Sequence, residues 1–120
     1  MAITIQPLAL GNAFKIISDA DVDATAENNV NDGAATIYNI DIDNVAAAVT
    51  YVKLYNVATT PIGTTAPDII IPVAASIRRS VVITGGVAFA TGLSFGAVTT
   101  AGTAGTTSPA SSVVLEVVVA

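Results

Sequence analysis

The stretch from Ser80 to Leu115 carries no charged residue, and this most narrows what the chain can become. A charge-free run of this length invites a transmembrane reading. Gly85-Gly86, Gly92, Gly96, Gly102, Gly105 and Pro109 interrupt it, with Ser and Thr throughout. Its most apolar part, Val81 to Val98, is rich in β-branched residues, which suit the pleated surface of a sheet. Short buried strands account for it better than one spanning helix. Gly92-x-x-x-Gly96 matters as a helix-dimer spacing only inside a helix.

The rest of the chain reads the same way. Thr50 to Asn56 is the clearest strand: Thr50, Val52 and Leu54 fall on one face, Tyr51, Lys53 and Tyr55 on the other, because strand side chains alternate. Pro61 and Gly63 then turn the chain. Ile3 to Leu10 reads as an edge strand or subunit-spanning arm interrupted by Pro7. Gly11-Asn12 is a turn, and Ala13 to Ser18 a second strand. Asp19 to Gly33 is an acidic, turn-rich connection with a short strand around Val22 to Thr25, and Asn31-Asp32-Gly33 is a turn signal. In Ala35 to Asp43, Thr36, Tyr38, Ile40 and Ile42 share the face expected in the core. Asn44 to Val49 is too short and unpatterned to hold a helix and reads as a loop. Ile69-Ile70-Ile71, bracketed by Pro67 and Pro72, predicts a strand buried on both faces. Ser76 to Thr84 is a strand, Gly85-Gly86 a turn, and Val87 to Ala90 and Leu93 to Val98 are short strands. Thr99 to Ser112 is low in complexity and predicts an exposed Thr/Ala/Gly/Ser loop, and Val113 to Val119 closes the chain as a strand. About eight short strands at even spacing and no convincing helix predict an all-β fold: a single-domain β-sandwich or jelly-roll-like barrel. The domain is expected to span 1–120, with 1–12 as an extended arm and 99–112 as the exposed loop.

Composition removes several functions. The chain has no histidine and no cysteine. It lacks the commonest general base and the commonest transition-metal ligand, and it can form neither disulfides nor thiolate metal sites. Four basic residues and a net charge of −5 do not suit a phosphate backbone, so no nucleic-acid partner is expected. Charged residues make up 11% and hydrophobic ones 52%. A lone domain so poor in charge would be poorly soluble, which predicts that other subunits cover much of its surface. Met1 to Pro7 has neither the basic nor the apolar region of a secretory signal, so the chain is expected to stay, or be assembled, in the cytosol.

The motifs with chemical content fail on inspection. Gly92-Leu93-Ser94-Phe95-Gly96 fits a hydrolase nucleophile elbow, but that motif needs a following helix and a histidine. Asp19-x-Asp21-x-Asp23 begins like a calcium loop, yet Ala24 stands where glycine is needed and Val30 where glutamate is needed. A looser calcium site with Glu27 or Asp32 stays open beside a solvated acidic loop. Asp41 and Asp43 share a strand face and read as solvent-facing. Arg78 and Arg79 fall on opposite faces, and either a salt bridge to a neighbouring subunit or a plain surface charge fits them. No catalytic, cofactor or metal residue is assigned, and no enzymatic activity is expected. The interface candidates are Tyr51, Lys53, Tyr55, Arg78 and Arg79.

Tyr51-Val52-Lys53-Leu54-Tyr55-Asn56, Pro61-Ile62-Gly63-Thr64, Pro67, Ile71-Pro72 and the run Gly86 to Ser94 together resemble small virion proteins of tailed bacteriophages. The resemblance covers Tyr38 to Val98. It implies a capsid decoration, or cement, protein that binds the assembled head on the virion surface. Its implied partners are the major capsid protein and copies of itself, as a homotrimer at local threefold positions, with no membrane. The acidic stretch Asp19 to Asp32 would then face basic capsid surface. The alternative is a tail or fibre component that binds a receptor or carbohydrate through Tyr51 and Tyr55. Three Tyr, three Phe and no Trp leave little aromatic surface for sugar stacking, and cross-strand pairing explains the tyrosines more simply.

Overall fold

The structure, a computed structural model, describes residues 3–7, 14–59 and 62–120. The expected turn at Gly11-Asn12, the arm from Leu8 to Leu10, and Ala13, the start of the expected second strand, lie outside the described residues. Eight strands follow in chain order: β1 (Ile3–Pro7), β2 (Lys15–Val22), β3 (Ala35–Asp43), β4 (Thr50–Asn56), β5 (Ile69–Val73), β6 (Arg78–Phe89), β7 (Leu93–Val98) and β8 (Val113–Val119). They form two antiparallel sheets, a large one in the order β1-β2-β8-β3-β6 and a small one in the order β5-β4-β7.

The segment after β2 belongs functionally to the small sheet. Glu27 and Phe95 exchange backbone bonds of 2.9 and 3.0 Å, Val30 N–H donates to Leu93 O (2.9 Å), and Ala97 N–H donates to Asp23 O (2.8 Å). This irregular segment lies along the free side of β7 and satisfies its edge groups, as a fourth strand would. Counted so, successive elements alternate between the two sheets except at the β1–β2 and β4–β5 pairs. That is the connectivity of a jelly roll, and the all-β sandwich expectation holds.

The core lies between the sheets. Ile17, Ile37, Ile40, Ile42, Leu115, Val117 and Val119 from the large sheet meet Val52, Leu54, Val73, Leu93 and Phe95 from the small one, all fully buried. Asn44 closes one end. Its buried side-chain amide donates to the carbonyls of Ala48, Val73 and Ala74, each at 3.0 Å, and its oxygen accepts from Ala46 N–H (3.1 Å) and Thr50 Oγ1 (3.2 Å). The expected loop Asn44 to Val49 is thus a tight connection wound around one polar hub.

Three sequence expectations are corrected. In β3, Ala35, Ile37, Ile40 and Ile42 are buried, whereas Thr36 and Tyr38 are not. Tyr38 is an extra residue: Ile37 pairs with Val119 while Asn39 pairs with Val118, so a bulge resets the alternation. Gly85-Gly86 does not turn the chain between two strands. It sits inside the continuous β6, at φ +81° and +77°, where four residues bulge opposite Tyr38 between the Ile37–Val87 and Asn39–Val82 pairs. The triple isoleucine is not buried on both faces, because β5 is an edge strand and Ile70 is exposed.

Both glycines of β6 need left-handed backbone, which costs an L-residue about 1 kcal/mol. Only Gly86 is also crowded: a Cβ there would stand 2.9 Å from the Tyr38 ring, whereas one on Gly85 meets nothing within 4 Å. Gly85→Ala is expected to lose about 1 kcal/mol in urea denaturation. Gly86→Ala is expected to lose a further ~1–3 kcal/mol from overpacking. Equal losses would show that Tyr38 does not fill the bulge.

Candidate interaction surface

The expected tyrosine–lysine face of β4 is the outer face of the small sheet. Lys53 stands between Ile70 of β5 and Gly96 of β7, Tyr51 between Pro72 and Val98, and Tyr55 beside Ser94. Lys53 and Tyr55 are fully buried, and Tyr51 half so. The cover is the chain's own. Lys53 Nζ donates to Gly102 O in the loop after β7. Thr106 packs against Gly63 and Ile62 against Gly96 so closely that a Cβ on either glycine would force that side chain to shift. Thr99 N–H donates to Thr107 O (3.0 Å) and Ala24 N–H to Ser108 Oγ (3.0 Å), tying the loop at both sides. Most residues of 99–112 expose their own surfaces, yet the loop forms a third layer over β4 and β7. Lys53 cannot therefore touch a partner while this loop is in place, and Tyr55 is fully buried within the chain itself.

Burial sets the protonation of this layer. It holds the Lys53 ammonium below the ordinary lysine range, with no carboxylate contributing, and pushes the Tyr55 phenol above its own. Tyr55 OH has no hydrogen-bond partner among the described residues. Ser94, the serine of the hydrolase-like pattern, is spent structurally: its hydroxyl donates to Val57 O (2.7 Å) and accepts from Asn29 N–H (3.0 Å).

The acidic connection also turns partly inward. Asp19 follows Ile17 on the inner face of β2 and is fully buried. Its Oδ1 accepts the Asp21 N–H (3.0 Å), and its Oδ2 has no partner among the described residues. Burial, reinforced by the Asp21 and Glu27 carboxylates, pushes its pKa up to about 6. Asp23 Oδ1 accepts the Thr25 N–H (2.8 Å), which fixes the turn. Among the described residues no group of three acidic side chains is placed to hold a metal ion.

Arg78 and Arg79 stand at the start of β6, an edge strand. Arg78 pairs with Asp41 across the β3–β6 ladder, at 3.1 Å from Nη2 to Oδ2. Ser80 Oγ donates to the same carboxylate at 2.9 Å. The hydrogen bond and charge of Asp41 raise the Arg78 pKa, though an exposed pair of this kind contributes little to stability. Arg79 turns the other way and donates to Pro72 O at 2.6 Å, so it bridges β6 to β5 across the open side of the sandwich. Beyond the arginines, β6 exposes Val82, whose neighbours Val81 and Ile83 pack towards the core, and Ile77 before β6 and Ile70 on the edge strand β5 are exposed as well. The edge position of β6 has no local sequence signature, because it depends on which strand ends the sheet.

Two linked expectations follow from the buried charges. Between pH 3.8 and about 6 the folded chain holds a proton on Asp19 that the unfolded chain has lost, so Asp19 makes stability fall as pH rises through that window. Asp19→Asn is expected to be more stable than the parent at pH 7, with the difference closing towards pH 4. A constant difference would contradict a buried Asp19. On the alkaline side the unfolded chain keeps the Lys53 proton longer, so stability rises with pH from the lowered folded pKa towards 10.5. Lys53→Met is expected to abolish that rise and to gain about 1 kcal/mol near neutrality, whereas Lys53→Ala, which empties the space, loses stability. Denaturant midpoints across pH decide both.

Comparisons with protein-family models, with curated proteins and with solved structures give no match.

Proposed function

We propose that this chain is a structural protein of a tailed-phage virion, a capsid decoration protein that binds the assembled head and stabilises it. The observation that carries the reading is the set of segments from Tyr51 through Ser94 with its resemblance to such proteins. The fold fits the task. A cement protein needs a small rigid sandwich, apolar surface for neighbours, and a strand edge that another sheet can extend. Its partners are then the major capsid protein and copies of itself, and its place is the outer capsid surface after assembly in the host cytoplasm. The receptor- or carbohydrate-binding alternative needs an accessible aromatic platform, and Tyr55 is fully buried while Tyr51 is only half open.

Binding to the shell and not to its dissociated subunits stabilises the shell by mass action. Purified protein added to undecorated heads is expected to co-sediment with them to saturation, at hundreds of copies per particle, and to raise the temperature at which the heads break. A handful of copies confined to the tail, or no effect on head stability, would sink the decoration reading.

A further inference from the structure

We infer that the segment 99–112 is a strap that opens as one unit while the sandwich stays folded, and that its opening is what gives modifying groups access to the Lys53 amine. The strap is held together from within. Thr99 N–H donates to Thr107 O (3.0 Å), and Thr100 packs so tightly on Gly105 that a Cβ there would force a shift. Its ends are fixed in different sheets, by Val98 of β7 in the small one and Val113 of β8 in the large one, both fully buried. Its hold on the rest of the chain is thin by comparison. It consists of Thr, Ala, Gly and Ser with one Pro, and of its residues Pro109 alone is buried. Lys53 Nζ donates to Gly102 O, Ala24 N–H donates to Ser108 Oγ at 3.0 Å, and Thr106 packs on Gly63. A segment with so little buried apolar surface opens at a lower free energy than the core beneath it.

The anchor at Lys53 also works against closure. An ammonium carries three donors. The Gly102 carbonyl offers it an acceptor, and no carboxylate compensates for the water it has lost. Closing the strap strips that water and opening restores it, so Lys53 cancels part of what the strap gains by contact. Opening requires no strand to leave its sheet, because β4 keeps its ladders to β5 and β7. Lys53 then stands on the uncovered outer face of the small sheet, beside the half-buried Tyr51. Its exposure is thus a conformational event separate from unfolding, and the strap is the gate.

Two glycines isolate the event. Gly102 in the strap and Gly85 in β6 have nearly the same left-handed backbone, at φ +80° and +81°, and a Cβ on either meets nothing within 4 Å. Alanine at each strains the closed, folded chain by a similar amount. Strap opening relieves the strain at Gly102 and leaves that at Gly85 in place, whereas global unfolding relieves both. The readout is acylation of Lys53 by a small amine-reactive ester at neutral pH, followed by mass spectrometry, with Lys15, the chain's other lysine, as the second site. Gly102→Ala is expected to speed Lys53 acylation about fivefold. Gly85→Ala is expected to leave it unchanged, although both variants lower the urea midpoint. Acceleration by Gly85→Ala as large as that by Gly102→Ala overturns the inference, because Lys53 would then be reached only through global unfolding. So does the absence of acceleration by Gly102→Ala. In the parent the Lys53 rate is expected to stay nearly flat at low urea, and a rate that follows the global unfolding slope from the first addition of urea overturns the inference as well. Circular dichroism checks that both variants are folded. Free protein is used throughout, so the outcome does not depend on whether the chain decorates heads.

Discussion

The structure depends on β4 being buried on both faces. A strand in a two-layer sandwich normally turns one face to the core and the other to water. Here Val52 and Leu54 enter the core, while Lys53 and Tyr55 on the opposite face are also fully covered. The small sheet has only three strands, and its outer face is too apolar to leave open. The loop after β7 returns over it, and the connection after β4 contributes Ile62 against Gly96. The protein is therefore a three-layer object at one end. The Thr/Ala/Gly loop is one of the layers.

This explains much of the missing charge between Ser80 and Leu115. All six residues of β7 are buried, so none of its positions can carry an unpaired charge at acceptable cost. Gly96 is small because Ile62 occupies the space above it, and Gly92 is small because the Val57 carbonyl would stand 3.2 Å from a Cβ. In β8, Val113, Leu115, Val117 and Val119 all fill the core. Intramolecular cover thus accounts for a share of the low charge that composition alone would assign to neighbouring subunits. What remains is β6, whose uncharged stretch is not covered by the chain itself.

Strand positions were legible because they follow from alternation and from proline and glycine punctuation, which are local. β4, β7 and β8 stand where the pattern places them, and so does the sandwich architecture. The failures are all non-local. Alternation in β3 breaks at Tyr38 because an extra residue is accommodated by the facing glycines of β6, and neither half of that arrangement is visible without the other. Gly85-Gly86 reads as a turn by local chemistry and becomes a bulge only because β3 runs alongside. Lys53 reads as an interface candidate because lysine is seldom buried within its own chain. Nothing near it in sequence announces that Gly102 will come to lie over it.

Lys53 also shows what a buried polar group can do in a chain so low in information. The covering loop is built from Thr, Ala, Gly and Ser, and such side chains offer little to distinguish one placement from another. An ammonium sealed under it cannot tolerate most placements, because without an acceptor its desolvation is severe. Only a loop that brings a carbonyl over Nζ closes the layer, and the Gly102 carbonyl does so. The buried Tyr55 hydroxyl on the same face of β4 has no hydrogen-bond partner among the described residues, so the outer layer answers the polar need of Lys53 and not that of Tyr55. A lysine that destabilises the layer thus selects its geometry, a division of roles known for single buried polar groups that fix register at a cost in stability.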